Sequence, residues 1–453
     1  MENRLPTGPA ALLLVLGLGA AVGCATYSDR MRAARVSVEQ GDFDGGIKGV
    51  NRLLGVRSHD ELPERWKKDA ALGALERGVL LQAVGQYEDS ARDLSAAETE
   101  LEFLDIKLDA VGEIGKYVYS DSARVYKALP TEKLSLNAVN MLNYLALRNL
   151  SGAAVEARRF TVMREYLESE DAEPAHGAFG SYLAGFVFER MGDLARARRY
   201  YENALEDWEI ESSGSPGVPS IDEWVHPRGG LPSLTPGTSR DGWEAHLGPT
   251  PEILTVIGIG RVPYKVPERI PIGAAVGLGG TYVTGDLRWL GYSALKVLTY
   301  PELVPSASRY TGASVEVDGQ EVPVRMLTNL GEEIAHEYEA IKPKIIGAAL
   351  SRMIARAAAA EGARAAAMEA GGADTVVGML AALAVEGALV GLDKPDTRSW
   401  MFLPARIFVA RIAVSRGEHT VAIHLRGHGE RLEQLHVDVP AGSFAVVVMT
   451  DPR

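Results

Sequence analysis

The side chains most able to do chemistry include a short acidic stretch around His336. His336 and Glu337 begin the pattern of a zinc protease helix, in which a second histidine one turn later completes the metal site, but Ala340 stands at that position. Glu333 and His336 have the spacing of one half of a carboxylate-bridged iron site, which needs two such halves, and the sequence contains one. Neither pattern therefore predicts a metal centre.

A histidine cluster near the carboxyl terminus offers a second set of candidate metal ligands. It consists of His419, His424, His428 and His436. Successive side chains on a β-strand point to opposite faces, so His419 and His424 would diverge rather than converge on one ion. A zinc site is the weaker alternative, and we interpret the cluster as exposed strand and turn residues.

Two glycine-containing stretches match catalytic motifs only in part. Gly291-Tyr292-Ser293 lacks the glycine that follows the serine of a nucleophile elbow. Residues 277–280 lack the Gly-Lys-Ser/Thr ending of a phosphate-binding loop. The sequence therefore predicts no catalytic, cofactor-binding or metal-binding residue, and an enzyme is the third choice of function class.

A different chemistry is indicated at Cys24, the only cysteine of the chain. It ends a stretch in which a polar start containing Arg4 precedes an apolar run from Ala10 to Ala20. That run fits the roughly 7 to 15 residues of a cleavable signal peptide and is shorter than the roughly 17 to 25 of a membrane-spanning helix. We predict a signal peptide at residues 1–23 and a lipidated tether at residues 24–30.

The small residues Ala21 and Gly23 would let a peptidase and an acyl transferase reach the Cys24 thiol. This arrangement resembles the lipobox of bacterial lipoproteins, and the resemblance implies a diacylated sulfur and an acylated amino terminus, which anchor more firmly than a single chain. Ala25 follows the cysteine in place of the Asp that retains such proteins on the inner membrane, so an outer-membrane lipoprotein facing the periplasm is expected. A simple signal peptide ending at cysteine by chance is the alternative.

Replacement of Cys24 tests this assignment. We expect Cys24→Ala to leave an unprocessed precursor that incorporates no labelled palmitate, because the acylated thiol is missing. Metabolic labelling of cells that express the wild type and the variant measures the difference. Equal incorporation of palmitate by the two proteins would show that the assignment is wrong.

Composition indicates a folded, exported body. Charged residues make up 24% of the chain, hydrophobic residues 46%, and the formal net charge is -13, values close to those of globular proteins apart from the acidity. An acidic chain without basic clusters argues against nucleic acid or anionic lipid as the main partner. Because the one cysteine is assigned to lipid, no intramolecular disulfide is expected.

The first half of the body, residues 31–210, is predicted to be helical throughout, and its clearest unit is Ser181–Leu205. This unit resembles a tetratricopeptide repeat at six positions. They are Gly185, Phe188, Gly192, Ala197, Tyr201 and Ala204. Gly185 and Ala197 would let two antiparallel helices approach, while Phe188 and Tyr201 would fill the space toward the next pair.

Looser copies of the unit fit Asp69–Leu101, Arg32–Leu54 and Asn137–Leu167, with the turn of the last at Leu150-Ser151-Gly152. One hairpin cannot bury its apolar face alone, so the hairpins are expected to stack into a solenoid with a concave groove. Such a groove would bind a protein partner. A spacer that holds the rest of the chain off the membrane is the alternative.

A Gly/Pro-rich linker or loop is predicted at residues 211–250, and a β-rich domain with a helical insert follows at residues 251–453. Trp224 and Trp243 in the linker could stack on sugars or plug the loop onto its own domain. The insert covers residues 330–392. Strands are expected at residues 253–259, 265–270, 281–283, 314–317, 321–326, 405–414, 420–425, 432–439 and 445–450. Asp318-Gly319 is a hairpin signal.

The apolar stretch at residues 375–392 is at the lower length limit of a membrane-spanning helix and contains Glu386. A span here would also separate the two halves of the β-rich domain. We therefore predict a buried helix, with a second membrane anchor as the alternative.

A short signature follows the insert. It reads Asp396-Thr397-Arg398-Ser399-Trp400 and precedes Leu403-Pro404-Ala405-Arg406-Ile407. These blocks resemble an uncharacterised family of tetratricopeptide-repeat lipoproteins of Gram-negative bacteria, and the resemblance implies the layout and location but no reaction. Asp396 and Arg398 are expected to pair across a turn while Trp400 packs the end of the helical insert onto the first C-terminal strand, with ligand binding as the weaker alternative.

The combined prediction is an α+β protein with an N-terminal tetratricopeptide-like α-solenoid followed by a β-rich domain with a helical insert. Its expected function is that of a lipid-anchored periplasmic scaffold or adaptor that binds a protein partner of the cell envelope through the helical-repeat groove, in envelope or surface-polysaccharide assembly. The alternative is a glycan- or peptidoglycan-binding module that acts through the β domain.

Overall fold

The computed structural model describes residues 25–66, 69–101, 126, 128–169, 177–212, 251–291, 297–371 and 395–453. Several predictions from the sequence lie outside these residues. They concern Cys24, Trp224, Trp243, the serine of the partial elbow and the apolar stretch 375–392. Within the described residues the chain is α+β, with an N-terminal helical region and C-terminal sheets, which confirms the predicted fold class at this level.

The helical region contains eight described helices that form four consecutive antiparallel pairs. The pairs are α1 (Tyr27–Glu39) with α2 (Phe43–Leu54), α3 (Ala70–Ala83) with α4 (Tyr87–Glu100), α5 (Pro130–Ala146) with α6 (Leu150–Ser169), and α7 (Ala178–Arg190) with α8 (Leu194–Ser212). Each of the four units recognised in the sequence therefore contains a helical hairpin.

Glycines close three of the four hairpins. Gly41, Gly85 and Gly192 have φ angles of 84°, 77° and 79°, a left-handed conformation that residues with a Cβ rarely adopt. The turn expected at Leu150-Ser151-Gly152 is wrong, because α6 already begins at Leu150. There the Asn149 side chain accepts a hydrogen bond from the Gly152 N–H at 2.9 Å, so this asparagine caps the helix. The turn lies before it, at Leu147 and Arg148.

Ten described strands build two four-stranded sheets and a two-stranded ribbon. The strands are β1 (Glu252–Ile259), β2 (Tyr264–Pro271), β3 (Val297–Val304), β4 (Tyr310–Val317), β5 (Gln320–Val322), β6 (Val324–Thr328), β7 (Arg406–Ala413), β8 (Gly417–Gly427), β9 (Glu430–Val439) and β10 (Phe444–Asp451). The inner sheet has the order β10-β1-β7-β6, the outer sheet β5-β4-β8-β9, and β2 pairs with β3. In the inner sheet β1 runs parallel to β10.

Side-chain alternation on β1 makes the inner sheet the middle of three layers. Ile253 and Ile257 face the outer sheet and share its hydrophobic core. Leu254 and Val256 face the other way, into a core formed mainly by the helices. The helices, the inner sheet and the outer sheet are thus stacked in that order, and the helical half and the β-rich half share one core.

The strand pattern expected from the sequence was correct except at residues 321–326 and around the ribbon. The single strand predicted at 321–326 is two strands, because the chain leaves the outer sheet after β5 and enters the inner sheet at β6. The Asp318-Gly319 turn joins β4 to β5, with both residues at positive φ. Residues 281–283 do not form a strand, because a 3-10 turn (Gly280–Tyr282) follows a short helix, α9 (Ile272–Gly279), that the sequence did not predict. Strand β3 was also missed, since Pro301 interrupts its β pattern and pairs opposite Pro267 on β2.

The helical insert begins as α10 (Leu330–Gly371), a helix with Pro343 inside it. Its middle packs on α9, the ribbon and the following turns in a separate small hydrophobic core, around Ile346, Leu350 and Leu298. The helix begins at Leu330, the residue at which the insert was predicted to start. Among the helices that the structure describes, none combines the length and the apolar character needed to cross a membrane.

Close helix contact in the fourth hairpin gives a test of the repeat assignment. A Cβ added to Gly185 on α7 would lie 2.5 Å from the Tyr201 ring on α8, so we expect Gly185→Ala to destabilise the fold by about 1–3 kcal/mol through overpacking. Gly362 on α10 has no atom within 4 Å of such a Cβ. Gly362→Ala should therefore stabilise by roughly 0.5–1 kcal/mol, because alanine favours a helix.

Chemical unfolding of the two variants measures both effects. A Gly185→Ala protein as stable as the Gly362→Ala control would contradict the packing assigned to the α7 and α8 pair.

Candidate functional site

The signature block lies in a segment without helix or strand, residues 395–405, that links the insert to β7. The first helices of three hairpins, α1, α3 and α5, line this segment and bind it through polar groups. Trp400, Phe402 and Leu403 are fully buried in the core shared with the helices. The inner face of the helical region is therefore occupied by the chain itself.

Glu76 on α3 binds two consecutive backbone amides of the segment. Its two oxygens accept hydrogen bonds from the N–H groups of Met401 and Phe402, each at 2.8 Å. Tyr27 on α1 adds a longer hydroxyl contact at 3.4 Å. Burial raises the pKa of Glu76 to about 8, against the opposing effect of the two amides. Glu76 therefore supplies hydrogen-bond acceptors for two N–H groups that have no carbonyl partner in a helix or sheet.

Glu132 on α5 binds the next amide along and caps its own helix. One oxygen accepts from the N–H of Trp400 at 2.9 Å, and the other accepts from the N–H of Leu129 at 2.8 Å, in the manner of a capping box. One carboxylate thus fixes both the start of α5 and the path of the segment. We call Glu76 and Glu132, with the amides of Trp400, Met401 and Phe402, the carboxylate clamp.

The other signature residues, 396–399, fix the part of the segment that comes just before the clamp. Arg398 donates to both carboxylate oxygens of Asp396, at 2.8 and 2.6 Å, so the expected ion pair is present. Burial acts to raise the pKa of Asp396, but the hydrogen bonds and charge of Arg398 lower it below its usual value. Thr397 accepts from the N–H of Ser28 at 3.2 Å, and Ser399 accepts from the N–H of Lys265 at 3.2 Å.

A second polar junction joins the last hairpin to the inner sheet. Arg411 on β7 donates to both oxygens of Glu252 on β1, at 2.6 and 2.8 Å, and to both oxygens of Glu189 on α7. Tyr201 also donates to Glu189, and Arg190 pairs with Glu252 at 2.7 Å. These side chains are almost fully buried, and two arginines meet two glutamates, so the buried charges balance.

The six repeat positions lie in the fourth hairpin, around its turn. Gly185 contacts Tyr201, Phe188 stacks on Tyr200 with ring centroids 5.4 Å apart, and Ala197 and Ala204 are buried. Gly192 forms the turn. The close approach at Gly185 and Ala197 is present, but Phe188 and Tyr201 both pack within their own pair and not toward a next pair, as had been expected.

The four C-terminal histidines do not converge. His419 is buried at the edge of the β-sandwich, so the expectation that it is exposed was wrong. It lies 2.7 Å from Asp318 and 2.8 Å from the Ser415 carbonyl, and its hydrogen bond to the Asp318 carboxylate raises its pKa. His424 lies on the opposite face, 3.7 Å from Glu316. His436 contacts Thr420. Glu333, one candidate for an iron site, instead contacts the hydroxyls of Thr131 and Thr328.

Within the part of the chain that the structure describes, one group of three has metal-ligand spacing, and the sequence did not indicate it. It consists of His59, Asp60 and Asp89. Arg92 pairs with Asp89 at 2.6 Å and occupies the same surface. The arginine already supplies a positive charge to this exposed cluster, so the cluster gives no indication of a bound cation.

No protein-family model matches the chain, and no curated protein matches it significantly. The geometry of the described residues is therefore the basis for functional inference. Polar groups from three helices hold one segment without helix or strand, mainly through its backbone N–H groups.

Removal of the clamp carboxylate tests this description. We expect Glu76→Ala to destabilise the fold by about 2–6 kcal/mol, because two buried N–H groups lose their acceptors at roughly 1–3 kcal/mol each. Glu88→Ala on the exposed start of α4 is the control and should change stability by about 0.5 kcal/mol or less. Urea unfolding at neutral pH measures both variants, and equal midpoints would contradict the clamp.

Proposed function

We propose that the protein is a lipid-anchored scaffold or adaptor, attached to the outer membrane through Cys24 and facing the periplasm, that binds a protein partner of the cell envelope. The lipobox supports the anchor and the compartment. The resemblance of the signature block to tetratricopeptide-repeat lipoproteins supports the layout. Envelope or surface-polysaccharide assembly is the setting that this combination favours.

The four hairpins support a tetratricopeptide-like solenoid because each packs on the next along the chain. Helix α2 packs on α3, α4 packs on α5, and α7 packs on α5 and α6 as well as on its partner α8. Hairpins stacked in this way form an extended surface with an inner and an outer face. The inner face here is filled by residues 395–405 and the inner sheet. Partner binding is therefore best placed on the outer face rather than in the groove expected from the sequence.

The observation that carries the proposal is an exposed stripe on α6, an outer helix. Val155 and Val162 are 41% and 55% exposed, and Ser151 and Arg158 lie on the same side of the helix. Residues four, seven and eleven positions apart share one helical face. Apolar and arginine side chains on one stripe have the composition of a protein interface, in which arginine is enriched.

Site-directed photo-crosslinking in living cells tests the proposal. A crosslinking amino acid would replace Val162 on α6, Leu278 on α9 or Leu432 on β9, which have nearly equal exposure of 55%, 53% and 53%. We expect a protein adduct from position 162 and not from position 432, because the adaptor surface lies on the helices. The adducts are identified by mass spectrometry.

The three positions also separate the competing functions. Protein adducts at 278 or 432 without one at 162 would overturn the outer-helix surface. Retention of the purified protein on peptidoglycan, with no protein adduct at any position, would favour the alternative of a glycan-binding β domain.

A further inference from the structure

A buried carboxyl group lies where α10 meets α5, next to the carboxylate clamp. Glu337 Oε1 accepts a hydrogen bond from the Thr131 N–H at 2.9 Å and lies 2.8 Å from the Thr131 hydroxyl oxygen. The same hydroxyl lies 3.2 Å from Glu333 Oε2. Glu337 Oε2 is shielded from solvent and has no hydrogen-bond partner among the described residues.

The hydrogen atoms at this site can be counted. The Thr131 hydroxyl can donate one hydrogen bond, but it lies close to an oxygen of both Glu333 and Glu337. For both contacts to be hydrogen bonds, one of the two glutamate side chains must carry a proton and donate it to the Thr131 oxygen. Glu333 also faces the Thr328 hydroxyl, whereas Glu337 has one oxygen without a partner. Because a buried ionised oxygen without a donor is costly, the proton is best placed on Glu337. Glu337 then donates to Thr131, and Thr131 donates to Glu333.

The charged surroundings agree with this placement. Burial is the largest effect on Glu337 and raises its pKa to about 8, with Glu333 and Glu132 adding to the rise and Thr131 opposing it. The ionisable groups on the elements packed around it are Glu132 on α5, Glu76 on α3, Glu302 on β3, and Glu333, His336 and Lys342 on α10. Lys342 pairs with Glu302 at 2.9 Å, one turn further along α10.

We propose that Glu337 is a neutral carboxylic acid in the folded protein near neutral pH, and that loss of its proton loosens the contact between α10 and α5. The contact is then a pH-sensitive latch. Thr131, whose hydroxyl accepts the hydrogen bond from Glu337, precedes Glu132 of the carboxylate clamp, so the latch sits on the turn of α5 that holds Trp400. An ionised Glu337 would face Glu333 across the Thr131 hydroxyl, which can donate its one proton to only one of the two carboxylates.

The sign of the pH effect follows from linkage. The pKa of Glu337 is higher in the folded chain than in the unfolded chain, where it takes its ordinary value. The stabilising contribution is fully present below that ordinary value and is lost as pH rises through about 8. In the interval between the two values the latch changes the unfolding equilibrium constant about tenfold per pH unit.

The test compares the full-length protein with Glu337→Gln and Glu339→Gln. Glutamine keeps the shape and a donor group of the neutral acid, while Glu339 is mostly exposed on the same helix and undergoes the same change of side chain. Unfolding is measured from pH 6 to pH 9, and hydrogen exchange, corrected for its intrinsic pH dependence, is followed in residues 129–134 and 330–345. We expect both segments to open as pH rises in the wild type and in Glu339→Gln.

Glu337→Gln should lack this opening and should be more stable than the wild type at pH 9. An unchanged pH response in Glu337→Gln would overturn the proposal. Infrared spectroscopy at pH 7 compares the wild type with Glu337→Gln, because a neutral carboxyl has its own C=O band and buried Glu76, whose pKa is also about 8, can add a second one. A wild-type spectrum without a protonated carboxyl band, or a folded Glu337→Gln with the same band as the wild type, would also overturn the proposal.

Discussion

The structure depends on buried carboxylates that bind a backbone segment lacking secondary structure. Residues 400–402 cross the hydrophobic core, where an amide N–H without an acceptor would destabilise the fold. Glu76 and Glu132 supply the acceptors from two different hairpins. Since each carboxylate stands on a helix and reaches into the C-terminal half, correct packing of the helices and correct placement of the segment are one event.

This arrangement explains the unusual burial of the first helices. Every residue of α3 from Ala70 to Gln82 is buried, because one side packs on its hairpin partner and the other packs on the clamp and the inner sheet. Such a helix shows little amphipathic periodicity, although a hairpin with an open groove would show it. Arg77 on the same helix is fully buried and is held by Asp93 and Asn51, so even its polar positions are satisfied internally.

Local signals in the sequence were enough to predict the elements but not what they pack against. Turn glycines with positive φ and alternating apolar residues identified three hairpin turns and most strands. The third turn was misplaced because Gly152 was taken as the turn residue when Asn149 caps the helix. Strand β3 was missed because Pro301 disrupts its pattern, and the facing Pro267 that accommodates it is remote in the chain.

The candidate site was harder to predict for the same reason. Asp396 and Arg398 are two residues apart, so their pairing could be inferred from the sequence. Glu76 and Glu132 lie about 325 and 268 residues from the amides that they bind, and a glutamate on a helix is ordinarily exposed. A local pattern carries no information about such a contact. An all-buried helical stretch that contains a glutamate was the one available signal, since a buried carboxylate needs a donor.

The clamp also limits access to the inner face of the helical region. A partner peptide that entered the inner face would have to displace Trp400 and Phe402, each fully buried and worth about 1.5–3 kcal/mol in apolar burial, together with three amide hydrogen bonds. The displaced segment is tethered in the same chain and therefore competes at a high effective concentration. Internal occupation of the groove is for this reason the stable state. The contact between the helices and residues 395–405 therefore joins the two halves of the chain.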